Sequence, residues 1–210
     1  ALVVGQTGTW TLSSSGYYVG TPSGGQIMAL AGGDLTVGAS YLLQMETKIA
    51  TTQIGGIIFD QYGLDAFKWA AIDKANGKVM IGHYTEGSGW VVDASVTRTL
   101  AAGDNTLAIT LKGSTVSMMV DGQAALAFAF NALVTDGGFG LLARNGSASF
   151  DSFTVNTDDP AFAAQSLMAA AAPAVQAEAA SWLTYSQLDG IIEEAKDRWA
   201  ESLGANVIGQ

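Results

Sequence analysis

Along residues 1–157 apolar side chains fall in short runs, many alternating with polar ones, and Gly, Asp, Asn or Ser closes each run. Period-two alternation marks strands buried on one face, and short unbroken apolar runs mark strands buried on both. The pattern predicts strands over Thr9–Ser13, Gln26–Leu30, Tyr41–Ala50, Ile54–Asp60, Ala66–Ile72, Lys78–Tyr84, Trp90–Ala94, Asn105–Leu111, Thr115–Val120, Gln123–Ala127, Gly138–Arg144 and Ser147–Asn156. Asn76-Gly77 and Asp121-Gly122 are predicted type I′ hairpin turns, whose two central residues both need positive φ, and Asn145-Gly146 is a third of the kind. About twelve short strands with no long helix between them predict a mostly β protein, an antiparallel sandwich or barrel rather than a βαβ fold.

The pattern changes near Asp158. Eleven of the 23 residues from Asp158 to Ala180 are Ala, and Pro160 and Pro173 interrupt any continuous helix, so residues 158–182 read as an Ala-rich linker. Residues 183–210 read as one amphipathic helix, possible first element of a further module. Thr184 and Gln187 stand at capping-box spacing, and Leu188, Ile192, Ala195, Trp199 and Leu203 recur at i+3/i+4. Glu193, Glu194, Asp197 and Glu201 line the opposite side, and Gly204 stands at the stop position. The stripe of Ile192, Trp199 and Leu203 needs a cover, either within the parent protein or on a partner.

Composition narrows the function classes. Apolar residues make up 49% of the 210 and charged residues 13%, which supports a sizeable core and argues against disorder. No run of about 18 apolar residues predicts a membrane span. The net charge of −10 disfavours nucleic acid, whose phosphates need Lys and Arg, and the acidic helix disfavours an anionic membrane surface. With no Cys there is no disulfide, thiol nucleophile or Cys-based zinc site, and with His83 alone there is no multi-histidine metal centre. Few charges and much Gly, Ser and Thr suit a secreted or surface bacterial protein. The first residue is Ala rather than Met, which reads as a piece of something longer.

Three stretches carry a family resemblance: Gly56-Ile57-Ile58-Phe59-Asp60-Gln61-Tyr62 with Phe67-Lys68-Trp69-Ala70; Ile81-Gly82-His83-Tyr84 with Gly89-Trp90-Val91-Val92; and Gly138–Arg144 with Ser149–Val155. Together they resemble the concanavalin A-like lectin/glucanase sandwich, a jelly roll, in its laminin-G-like version. Leu107-Ala108-Ile109 and Val116–Gly122 resemble that fold's central hairpin. The resemblance implies a lectin-like sandwich over residues 1–157 of a large extracellular, adhesin-type protein. It also implies two functional classes: a carbohydrate-binding or adhesion module directed at a glycan or cell-surface polysaccharide, or a purely structural and assembly module joined to other domains.

An enzyme is the weaker expectation. Glucanases of this class carry Glu-x-Asp-x-x-Glu, which sets a nucleophile and an acid/base about 5 Å apart. The motif is absent, and the sandwich holds only Glu46 and Glu86, 40 residues apart. No Gly-x-Ser-x-Gly elbow accompanies His83, so a Ser–His–Asp triad is not expected. The candidate ligand-binding group is Asp60, Tyr62, Trp69, His83, Tyr84 and Trp90, which combines aromatic faces for stacking on a sugar ring with polar groups for its hydroxyls. Core packing competes for Trp69 and Trp90, and a structural hydrogen bond competes for His83. For a structural Ca²⁺ the resemblance points to Asp151, with Asp34 and Asp158 as companions, although no Asp-x-Asp-x-Asp-Gly loop is present. Asp159-Pro160 reads as the start of the linker, where Pro ends strand pairing.

Overall fold

The structure, a computed structural model, describes residues 6–23, 28–33 and 37–162. The predicted tail helix with Ile192, Trp199 and Leu203, most of the predicted linker, and Asp34 lie outside the described residues. The chain divides into Ala1–Ala164 and Gln165–Gln210, and every described residue belongs to the first unit.

Fourteen strands are described: β1 Gln6–Thr7, β2 Thr9–Leu12, β3 Tyr18–Thr21, β4 Met28–Gly33, β5 Leu42–Thr51, β6 Ile54–Gly63, β7 Ala66–Asp73, β8 Lys78–Thr85, β9 Gly89–Thr97, β10 Asn105–Lys112, β11 Thr115–Val120, β12 Gln123–Ala129, β13 Gly138–Arg144 and β14 Ala148–Thr157. A single 3₁₀ turn, Pro160–Phe162, follows. The strands form two seven-stranded antiparallel sheets. Sheet I runs β1-β4-β13-β6-β7-β8-β9, and sheet II runs β12-β11-β10-β5-β14-β3-β2. Successive strands β4, β5 and β6 alternate between the sheets, as do β13 and β14, so the chain repeatedly crosses the sandwich. The expected antiparallel sandwich is therefore present.

Period-two alternation builds the core. On β5, Leu43, Met45, Thr47 and Ile49 are buried while Gln44, Glu46 and Lys48 face out. Leu107, Ile109 and Leu111 of β10 and Val116, Met118 and Val120 of β11 continue that buried face. Against it sheet I places Ile57, Phe59, Ala70, Ile72, Val79, Ile81, Leu141 and Ala143, and together they form one apolar cluster. Sheet I is apolar on its other face too. Ile54, Ile58, Phe67, Trp69, Ala71, Met80 and Leu142 form a second buried cluster, with Tyr84 and Trp90 packed against it. This explains the unbroken apolar runs of β6, β7 and β8, the pattern of strands covered on both sides.

The turns follow the expected chemistry in part. Asp121 and Gly122 both take positive φ, 52° and 73°, as a type I′ turn requires. At Asn76-Gly77 the connection is Lys74–Gly77, four residues long, and only Gly77 takes positive φ. There the Asp73 carboxylate accepts hydrogen bonds from the Asn76 backbone N–H at 3.1 Å and side-chain amide at 2.8 Å, which favours the wider turn. At the third site Asn145 alone has positive φ. Ser147 then connects to β14, so the two-residue form is not made.

Trp69 is fully buried and lies over Gly82, where an added Cβ would collide with the indole ring and the Val91 carbonyl. Trp69→Ala is expected to lower the unfolding free energy by about 3–5 kcal/mol, the range for truncating a buried aromatic, as read by chemical denaturation.

Candidate functional site

Two β-bulges assemble the site. Between Phe59 and Gly63 the pairing of β6 with β7 slips, and Asp60 sits in the slip with φ +50°. Strict alternation would point Asp60 to the same face as Ile58. The bulge instead delivers its carboxylate to the Lys68 ammonium on the sandwich-facing side. Gly137 presses on this bulge: a Cβ there would lie 2.6 Å from the Asp60 carbonyl carbon, so the position has room for glycine only. The second bulge separates Ile81↔Ala94 from Gly82↔Val92 and leaves Asp93 as the extra residue of β9. Asp93 reaches back to the His83 ring, with Oδ2 2.7 Å from Nδ1.

Between the bulges the register is regular, and Lys68 of β7 stands directly opposite His83 of β8. Four adjacent strands thus contribute one polar group each, in the order Asp60, Lys68, His83, Asp93. The row continues the face of Ala70, Ile72, Val79 and Ile81, and it begins where the core between the sheets ends. It is well sheltered, since the Asp60 side chain is 2% exposed and that of Lys68 16%. Lys68 also lies over the Phe130 ring, 5.1 Å from its centroid, and Phe130 in turn packs edge-on against Phe59.

The row lines a cleft of about 510 Å³, a size that suits a small ligand. Its walls include Phe128, Phe130 and Asn131 from sheet II and the loop after it, and Tyr62 from sheet I. Tyr62 is 66% exposed. Partial burial at its hydroxyl end, together with the carboxylates of Asp60 and Asp136 beside it, raises the phenol well above its ordinary value, so it stays protonated.

Of the six candidate ligand-binding residues, the fold brings Asp60, Tyr62 and His83 to this cleft, while Tyr84 touches only its edge and packs its ring on Phe67 and Trp90. It does not bring Trp69 or Trp90 there. Both pack on the opposite face of sheet I, their rings 5.4 Å apart, and Arg144 stacks on Trp90 at 4.1 Å. Odd and even positions of one strand serve different faces, so Trp69 cannot join its neighbour Lys68. Lys68 and Asp93, and the wall residues Phe128, Phe130 and Asn131, are cleft residues that pattern reading missed. The available signal was a lone Lys and a lone Asp inside apolar runs.

Of the expected calcium ligands, Asp34 lies outside the described residues, and the two that are described stand far apart. Asp151 lies within β14 and Asp158 just after it, about 20 Å away along an extended strand. Asp158 instead accepts the Leu42 backbone N–H at 2.6 Å. Among the described residues no three metal-ligating side chains cluster. Glu46 and Glu86 are not paired either, since Glu46 faces outward on β5 and Glu86 is in the β8–β9 turn.

No family model and no curated protein matches the chain. Solved structures do resemble it. The carbohydrate-binding module CBM66 from Bacillus subtilis superposes with a TM-score of 0.59 at 17% identity, over 71% of this chain and 92% of that one. A Bacillus subtilis protein of unknown function with a galectin-like fold gives 0.54 at 11% identity, over 72% and 87%. A family 7 alginate lyase, A1-II′, in complex with substrate gives 0.50 at 12% identity, over 71% and 82%. At these identities the likeness is one of fold. The sandwich is concanavalin A-like, a fold that these structures show with carbohydrate-binding and with catalytic members.

Removing either member of a buried ion pair strands the other, at a cost of about 3–5 kcal/mol. Asp60→Ala and Lys68→Ala are each expected to destabilise by about that much. The double variant should cost less than the sum of the two, as read in a double-mutant denaturation cycle.

Proposed function

We propose that the chain is a carbohydrate-binding module that acts without catalysis, with the cleft across β6–β9 as its sugar site. The observation that carries this reading is the row Asp60–Lys68–His83–Asp93. It sets alternating hydrogen-bonding groups at strand spacing, about 4.8 Å apart, along a cleft walled by aromatic rings. A pyranose has the matching character, with hydroxyls around its edge and apolar C–H faces. The likeness to a carbohydrate-binding module and a galectin-like fold supports the reading at the level of fold.

The non-catalytic part rests on the carboxylates. The two glutamates of the sandwich stand apart, and Asp60 and Asp93 are each engaged by a neighbouring basic group. A glycosidase needs one carboxyl free to give a proton and a second free to attack or activate water. We further propose that the module belongs to a secreted or surface bacterial protein, in keeping with its acidic, Gly-rich and Cys-free composition.

A glycan array probed with the full chain tests the reading. At least one saccharide is expected to bind saturably, and His83→Ala is expected to weaken it about 10–100-fold, the worth of one hydrogen bond to a charged pair. Tyr62→Ala should also weaken binding, while shifting stability by no more than about 0.5 kcal/mol because the ring is exposed. Unchanged binding in both variants would place the site elsewhere, and turnover of a bound glycan would overturn the non-catalytic reading.

A further inference from the structure

We infer that the cleft takes a neutral sugar presented through its hydroxyl groups and selects against uronate and sulfated glycans; the inference rests on the carbohydrate-binding reading above and names its ligand class.

Asp60 Oδ1 is buried in the cleft wall and makes no close hydrogen bond, the Tyr62 phenol being the neutral O–H group beside the Asp60 carboxylate. A buried carboxylate oxygen is an acceptor only, so whatever completes it must donate. A sugar hydroxyl donates. A uronate carboxylate or a sulfate ester at neutral pH does not.

The His83 imidazole points the same way. Its Nδ1 lies 2.7 Å from an Asp93 carboxylate oxygen, which can only accept, so the Nδ1 proton lies between them. This leaves Nε2 as the ring atom that meets the ligand, and a sugar hydroxyl, which both donates and accepts, can satisfy it.

Charge completes the case. The Lys68 ammonium is neutralised by Asp60 and faces the Phe130 ring on another side. Its remaining N–H bonds can serve a hydroxyl oxygen, but the pair as a whole offers no net positive charge. Asp93 is a second carboxylate in the cleft, and Asp136 lies beside Tyr62 at its rim. Arg144 stacks on Trp90 on the opposite face of sheet I, so the sheet separates it from the cleft. Each basic group of the cleft already faces a carboxylate, Lys68 facing Asp60 and His83 facing Asp93, so an anionic ligand would find no unpaired cation in a partly desolvated site. A hydroxyl presented to the same groups meets acceptors and one donor pair and needs no unpaired cation.

The test compares each neutral saccharide with its C6-carboxylated counterpart of the same anomer and linkage: methyl galactoside with methyl galactosiduronate, and cello-oligosaccharides with C6-oxidised cello-oligosaccharides. Each is titrated calorimetrically into the full chain at neutral pH and low salt. The neutral member of the bound pair is expected to bind at least tenfold tighter than its uronate. Asp136→Asn, an exposed position whose change should not disturb folding, is expected to narrow that gap, as is raised salt. Equal or tighter binding of the uronate would overturn the ligand class while leaving a carbohydrate-binding module. No binding to either member of any pair would overturn the carbohydrate-binding reading and this inference together.

Discussion

A strand has two faces, and each side chain can serve only one of them. That constraint organises sheet I, because both of its faces are buried over much of their area. One face of β6, β7 and β8 closes the core against sheet II, and the other carries the Trp69 cluster. A polar group therefore has few places to stand. The Lys68 and His83 side chains occupy the end of the sandwich-facing side, where Ala70 and Ile81 give way to the cleft. Asp60 and Asp93 join them only because the strands slip by a residue at each position. The bulges recruit two acids to a face that regular alternation would deny them.

The energetics fit a role in presentation rather than in stability. A buried carboxylate–ammonium pair does little better than the apolar side chains that could replace it, because desolvation offsets most of the attraction. The stability of the sandwich comes from its two apolar clusters. What the row adds is polarity at fixed positions. Each group is held by a neighbour on the next strand, and Gly137 locks the Asp60 bulge from behind. Such preorganisation reduces the ordering cost that a shallow site would otherwise meet on binding.

Most of the sandwich was legible in the sequence because its strands are long and alternate cleanly. β5, with Leu43, Met45, Thr47 and Ile49 against Gln44, Glu46 and Lys48, is the plain case. The strands that escaped were β1, two residues long, and β3, Tyr18–Thr21, whose run is too short to show a period. Asn76-Gly77 misled because Asp73 hydrogen-bonds into the turn and widens it. The site was half legible. Asp60 and His83 stand out as polar residues inside apolar strands. Trp69 and Trp90 looked like sugar platforms because sequence proximity does not say which face a residue serves. Asp93, a lone acid in an apolar run, escaped because its bulge breaks the period that would assign it a face. Asp151 and Asp158, seven positions apart on nearly extended chain, were never close enough to share an ion.

The claim that the polar row is the sugar site has a direct spectroscopic test, because His83 is the one histidine in the chain. Its imidazole resonances report from the middle of the row without ambiguity. Titration of the labelled full chain with the tightest-binding neutral saccharide should move those resonances saturably, with the indole N–H signals of Trp69 and Trp90 unmoved. Indole signals that shift while His83 stays fixed would put the ligand on the opposite face of sheet I and contradict the account.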